Sequence, residues 1–321
     1  MNESDLFSEV RMATIGVADL DRACNFYTAA LGYEPSEFGR AATPVAEFWA
    51  SPDQLAVDYC VMAADETGRG RIRLVSADAD GQQLFTPSNR MSATGCYALN
   101  FRTRDIHRQL AAIRSAGGQV GDEPHFWEVN EQVHVYDSMS SDPDGTCLDL
   151  FSYARGGELR GKLSTQVSVI QTVALAVADA RRSRDFYRRL GFLELFDRVL
   201  DFPGLQDMLG IDRPVRIHNI NLIKNGDIVP GRVEMFCYLD TGKEPAPLTG
   251  HAHPPNHGIL SFSIETSHLE RALEVITAAG GDPIASLNAS AELPGFGAAR
   301  GAMVLGPDGE RIELVERMER T

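Results

Sequence analysis

VRMATIGVADLDRACNFYTAALGY (residues 10–33) and IQTVALAVADARRSRDFYRRLGF (170–192) are two versions of one passage. Each opens on a short alternating apolar run, the two-residue period of a β-strand. Asp19 or Asp179 follows at the place of a helix N-cap, where a carboxylate accepts from free backbone N–H groups. An amphipathic helix carrying Phe-Tyr comes next (Phe26-Tyr27, Phe186-Tyr187), and Gly32 or Gly191 supplies the turn that ends it.

A second pair lies further along each half. CYALNFRTRDIHRQLAAIRSAGGQV (96–120) parallels ILSFSIETSHLERALEVITAAGGDP (259–283), both reading strand, helix, Ala-Gly-Gly. The halves also finish alike, with DPDGTCLDLFSY (142–153) and GPDGERIELVE (306–316). In both, Pro-Asp-Gly precedes an acid, Asp149 or Glu313. The chain therefore holds four βαβββ units, an α+β fold of two domains at 1–154 and 167–321, with a polar glycine-bearing linker at 155–166. One unit alone leaves a sheet face bare. Two units side by side are expected to curl that face into an open cup of mixed strands with helices outside.

Composition narrows the function. The chain has 321 residues, is 43% hydrophobic and 23% charged, and carries a net charge of −15 with no basic block. This argues against nucleic acid or an anionic membrane as partner. MNESDLFSEV is not a signal peptide, and no stretch reaches the ~18 apolar residues of a membrane span. Five scattered cysteines without a CxxC pair point to reduced thiols and a cytoplasmic protein. A monomer or homodimer is expected, with a small-molecule ligand as the partner that the cup, not the composition, suggests.

These units resemble the vicinal oxygen chelate superfamily, which includes glyoxalase I, bleomycin-resistance proteins and extradiol dioxygenases. The resemblance rests on V-x-D, Phe-Tyr and Leu-Gly-aromatic, Ala-Gly-Gly, and Pro-Asp-Gly before an acidic strand, and it spans nearly the whole chain. It implies cup-shaped domains, and in metal-dependent members a ligand set of His, Glu or Gln, His and Glu. Those places align here with Met12, Arg73, Ala98 and Asp149 in the first half, and with Thr172, Glu234, Ile259 and Glu313 in the second. The standard histidines are gone, so no metal or other cofactor is expected. Were a divalent metal to bind, Glu234, His257 and Glu313 would be its ligands.

Strand alternation adds detail. Val173, Leu175 and Val177 form a bulky face suited to a helix, while Thr172, Ala174 and Ala176 leave room. In ILSFSI, Leu260, Phe262 and Ile264 are set against Ile259, Ser261 and Ser263. Glu234 and Glu313 are read as a carboxylate pair for proton transfer beside a carbonyl, with His257 from HAHPPNHG (251–258) as a rim partner. Arg73, Asn100, Arg102, Asp149, Thr172 and Ser261 are the candidate ligand-binding residues. A structural Arg73–Asp149 pair is the competing reading for that arginine. Trp127, His134 and Tyr136 are candidate wall aromatics. The glycine-rich stretch ELPGFGAARG (292–301) is a candidate lip of the second cup. Three functions stay open: an isomerase or lyase, a non-catalytic small-molecule binder, and a metal-dependent dioxygenase, which would need histidines where Thr172 and Ile259 stand.

Overall fold

A computed structural model describes residues 5–50, 55–121, 123–157, 163–224, 230–242 and 244–318, without the side chains of 288–290. Part of the linker expected at 155–166 lies outside these residues. Four units are present. The first contains β1 (Phe7–Gly16), α1 (Leu20–Leu31), β2 (Glu34–Arg40), α2 (Thr43–Phe48), β3 (Val57–Ala63) and β4 (Arg71–Ala77). The second contains β5 (Ala93–Arg102), α3 (Ile106–Ser115), β6 (Gln119–Val120), β7 (His125–Glu128), β8 (His134–Ser141) and β9 (Cys147–Arg155). The third contains β10 (Thr172–Ala176), α4 (Ala180–Arg189), β11 (Phe192–Leu200), α5 (Leu205–Met208), β12 (Arg216–Lys224) and β13 (Arg232–Leu239). After the short β14 (Ala246–Pro247), the fourth contains β15 (Gly258–Thr266), α6 (Leu269–Ala278), β16 (Asp282–Leu293), β17 (Gly297–Leu305) and β18 (Arg311–Arg317).

The helix boundaries follow the sequence signals. Asp19 caps α1 by accepting from Arg22 N at 2.8 Å, and Asp179 caps α4 by accepting from Arg181 N and Arg182 N. Gly32 ends α1 in the left-handed region at φ 72°.

The units pair crosswise. Units one and four share an eight-stranded sheet, ordered β16-β17-β18-β15-β1-β4-β3-β2. Units two and three share a ten-stranded sheet with the path β11-β12-β13-β10-β5-β9-β8-β6, to which β14 adds beside β5 and β7 beside β8. Each cup thus draws on both halves of the chain, whereas the sequence reading assigned one cup to each half. The four first strands have near-equivalent edges, so the repeat alone does not fix which edges pair.

Within a half, the shared motifs hold the units together instead. Asp144 of the first Pro-Asp-Gly turn accepts from Ala18 N and Arg22 at the start of α1. Asp308 of the second turn accepts from Ala178 N at 2.8 Å and from Arg182 ahead of and within α4. The tyrosines of the Phe-Tyr motifs reach the same turns, Tyr27 to Asp142 at 3.1 Å and Tyr187 to Glu310 at 2.7 Å. Burial pushes the Asp142 carboxyl up to about 6 and that of Glu310 up to about 7.

The apolar core lies between sheets and helices. Val173, Leu175 and Val177 belong to it, while Ala174 and Ala176 face the cup, as alternation predicts. Alternation fails at two bulges. Thr14 pairs with Ser261 but Ile15 pairs with Ile259, so Leu260 turns into the cup and Ile259 joins the helix-side core. The matching slip in β5, where Ala174 pairs with Ala98 but Leu175 with Cys96, brings Tyr97 into the other cup.

Candidate functional site

The two cups have opposite interiors. In the eight-stranded sheet, Arg73 on β4 and Glu313 on β18 are fully buried and face each other across the cup. Arg73 donates to both carboxylate oxygens of Glu313 at 2.8 and 2.9 Å, to Thr14 Oγ1 at 2.8 Å and to Pro294 O at 3.1 Å. Trp49 Nε1 and Ser263 Oγ also donate to Glu313, at 3.0 and 2.5 Å. The guanidinium lies 4.5 Å from the Trp49 ring centroid. Phe48, Val45 and Trp49, brought in by α2, pack with Met12, Leu260 and Met303 over this pair. A cavity of only about 10 Å³ remains. This cup is filled by its own side chains.

The ten-stranded sheet keeps an open interior. A cavity of about 80 Å³ is walled by apolar side chains, among them Tyr97, Leu205, Ile217 and Phe236. Trp127 from β7 and Phe202 from the β11–α5 connection stack at 5.6 Å with planes 4° apart, and both line the cavity. The polar groups are Asn100 on β5, Asp137 on β8, Asp149 on β9, Asn219 on β12 and Glu234 on β13. Asn100 Nδ2 and Asn219 Nδ2 each donate to Glu234 at 2.7 Å, one to each oxygen. Trp127 Nε1 donates to Asp137 at 3.2 Å.

Asp137 on β8 and Asp149 on the neighbouring β9 both face this cavity, close enough for the charge of one to act on the other. Two buried carboxylates this close repel when both are ionised, which favours a proton on one of them. That one is Asp149, whose carboxyl is raised well above the usual range by burial, then by the charge of Asp137. Burial also raises Asp137, but the bond from Trp127 favours its ionised form. Glu234 is raised by burial and held back by Asn219 and by the Arg232 charge. An apolar pocket with a singly protonated acid pair can give a proton at one atom and take one at another.

A family model described as Glyoxalase/Bleomycin resistance protein/Dioxygenase superfamily matches residues 10–150 and 169–314. The chain belongs to that superfamily. Among solved structures, a mutant glyoxalase I from Zea mays is 19% identical with TM-score 0.65, covering 96% of this chain and 93% of that one. A putative dioxygenase from Bacillus subtilis is 10% identical with TM-score 0.60, covering 98% and 87%. These likenesses show the fold. No curated protein matches the chain by sequence.

Membership in the superfamily raises the question of a metal. The acids at the ligand places of the ten-stranded cup are Asp149 and Glu234, but the amide N–H groups of Asn100 and Asn219 already occupy both Glu234 oxygens. Each Glu234 oxygen thus already serves one neutral amide donor, and a metal would have to compete with both for the remaining lone pairs. Among the described residues, no three His, Cys, Asp or Glu side chains converge to hold a metal ion. This donor set does not suit a metal centre.

The crossed pairing redistributes the residues singled out from sequence. Glu234 and Glu313 lie in different sheets and cannot act as one pair, nor can they share a metal with His257. Arg73 is paired with Glu313 and not with Asp149, for the same reason. His257 is fixed by backbone bonds to Gln82 and Leu84, and its ring lies beside Gly81, off the wall of both cups. Arg102 turns away over the Tyr153 ring, 4.8 Å from its centroid, toward Gly157 O. Thr172 is buried beside Asn100 in the β5–β10 pairing but does not line the cavity. Ser261 borders the residual space of the filled cup. Asn100, Asp149 and Glu234 do meet in the open cup.

Trp127 lines that cavity, whereas Tyr136 is 40% exposed and His134 packs on Phe126, outside it. The glycine-rich stretch closes the filled cup, with Gly295 O and Pro294 O accepting from Arg71 and Arg73. Asp137, Asn219, Tyr97 and Phe202 were not singled out. Asp137 in HVYDSM and Asn219 in RIHNINLI are polar residues inside strand-forming runs, and that was the available signal.

Proposed function

We propose that the protein catalyses a proton transfer of the isomerase or lyase type on a small oxygen-bearing organic molecule held in the ten-stranded cup. The singly protonated pair of Asp137 and Asp149 in an apolar pocket carries this reading. Ionised Asp137 takes a proton from a carbon next to the carbonyl. Asp149 gives its own proton to the substrate, so the pair ends with the charge it began with. Trp127 Nε1 holds Asp137 in the anionic form, and Glu234 with its two asparagines orients the molecule. The chemistry proposed runs on these side chains without a metal.

A second reading, a binder that sequesters its ligand, draws on the Trp127–Phe202 stack, a closed aromatic wall suited to a planar molecule. One experiment separates them. A panel of small amino ketones and related carbonyl compounds is incubated with the protein in D2O, and deuterium incorporation is followed by NMR. Catalysis predicts incorporation at the carbon beside the carbonyl for at least one compound, slowed about 10²- to 10⁴-fold by Asp149→Asn. Compounds that bind yet exchange at the solvent rate would establish sequestration instead.

A further inference from the structure

We infer that the open cup takes a small organic cation, a primary ammonium or amidinium group on an apolar, preferably aromatic, body. This deepens the proposed function by naming the class of its substrate. The first observation is the hydrogen-bond inventory of the wall. Trp127 Nε1 and the amide nitrogens of Asn100 and Asn219 each donate to a carboxylate, and Asn219 Nδ2 also donates to Met235 O at 3.5 Å. The atoms left without a protein donor are oxygens: Asn100 Oδ1, Asp137 Oδ1 and Asp149 Oδ1. Asn100 and Asp137 are 7% and 8% exposed, so water does not freely serve them. A ligand that fits this wall must bring donors.

Charge points the same way. Three carboxyl groups line the cavity, and no Lys, Arg or His does among the described residues. Arg232 beside Glu234, His125 beside Asp137 and Arg90 beside Tyr97 temper this field from outside the inner wall, Arg90 from the adjoining chamber. One proton on Asp137 and Asp149 still leaves the pair anionic. Tyr97, Trp127, Phe202 and Phe236 supply the aromatic faces that attract a cation.

The filled cup gives the strongest support, because it holds such a complex built from the chain itself. There Glu313, whose place in the repeat is that of Asp149, binds the Arg73 guanidinium, and Trp49 lies against its face. In the open cup the place corresponding to Arg73 is Glu234. The carboxylate and the aromatic surface remain, and the organic cation is missing from the chain. The inner cavity is sized for a head group. A chamber of about 440 Å³ shares Tyr97, Met139, Met208 and Leu209 with it and offers space for the rest of the molecule.

Titration of the full chain at pH 7 with benzylammonium, benzyl alcohol and benzoate tests the inference, using calorimetry and tryptophan fluorescence. Trp49 is sealed in the filled cup, so a response that Trp127→Phe abolishes reports the open one. Benzylammonium is expected to bind at least tenfold tighter than benzyl alcohol, and benzoate not to bind. Glu234→Gln is expected to weaken benzylammonium at least tenfold and leave benzyl alcohol within twofold. The three-probe comparison needs no variant, so it stands even if Glu234→Gln does not fold. Equal binding of alcohol and ammonium would overturn the ligand class while leaving the proton-transfer reading to the deuterium experiment. Binding of benzoate, saturable binding of Mn²⁺ that displaces benzylammonium, or no binding by any probe would also overturn it.

Discussion

Replacing Glu313 by Ala should cost the fold dearly without touching the open cup. The carboxylate accepts from Arg73 at 2.8 and 2.9 Å, from Trp49 at 3.0 Å and from Ser263 at 2.5 Å, all at zero exposure for the ion pair. Its removal leaves a buried guanidinium whose remaining acceptors among the described residues are Thr14 Oγ1 and Pro294 O. Breaking a buried pair by deleting one partner costs about 3–5 kcal/mol. Trp49 Nε1 and Ser263 Oγ lose an acceptor as well, so the upper end of that range applies. Since domains are stable by only about 5–15 kcal/mol, the urea midpoint should fall by more than 1 M. The double variant Arg73→Met with Glu313→Leu removes both charges and should recover at least half of the loss. Urea unfolding followed by circular dichroism measures all three proteins. A Glu313→Ala midpoint within 0.3 M of wild type, or a double variant no better than the single one, would refute the reasoning.

Stability should also depend on pH in an inverted sense. Asp142 and Glu310 are raised to about 6 and about 7 in the folded protein, chiefly by burial, so it keeps protons that the unfolded chain releases above pH 4. Stability is therefore lost as pH rises from about 4 to 7, by about 3 kcal/mol per group, and the urea midpoint should be higher at pH 5 than at pH 8. Glu310→Gln should flatten part of that slope, and a midpoint that climbs with pH would contradict it. Gly16→Ala should lower the midpoint, because the new Cβ would sit 1.9 Å from Asn256 O in the histidine-rich turn. Leu205→Ala, at the tip of α5, should widen the open cavity and speed ligand release, seen as a faster off-rate in stopped-flow fluorescence with benzylammonium.

The units, their caps and the acids after Pro-Asp-Gly were legible because each is a local signal. Asp19 and Asp179 stand before helices, and Tyr27 and Tyr187 repeat at the same helical position. The pairing of units was not legible, since β1, β5, β10 and β15 look alike and the choice rests on long-range packing. That single choice moved Glu313 away from Glu234 and toward Arg73, and brought Asp149 to Glu234. The bulges beside Leu260 and Tyr97 were hidden for a related reason. Alternation assumes an unbroken ladder, and one extra residue reverses every facing beyond it. The histidines of HAHPPNHG drew attention as donors, yet they serve the turn. His253 bonds Pro254 O and Gly250 O, and Asn256 bonds His251 O and Gln82 N.

The central claim is that one cup is a site and the other is a sealed core. A crystal structure of the chain grown with benzylammonium tests it most directly. The account predicts ligand density between Trp127 and Glu234 in the ten-stranded cup, with Arg73 still bound to Glu313 under Trp49. Density for the ligand, or for a metal ion, against Arg73 and Glu313 with the ten-stranded cup empty would contradict it.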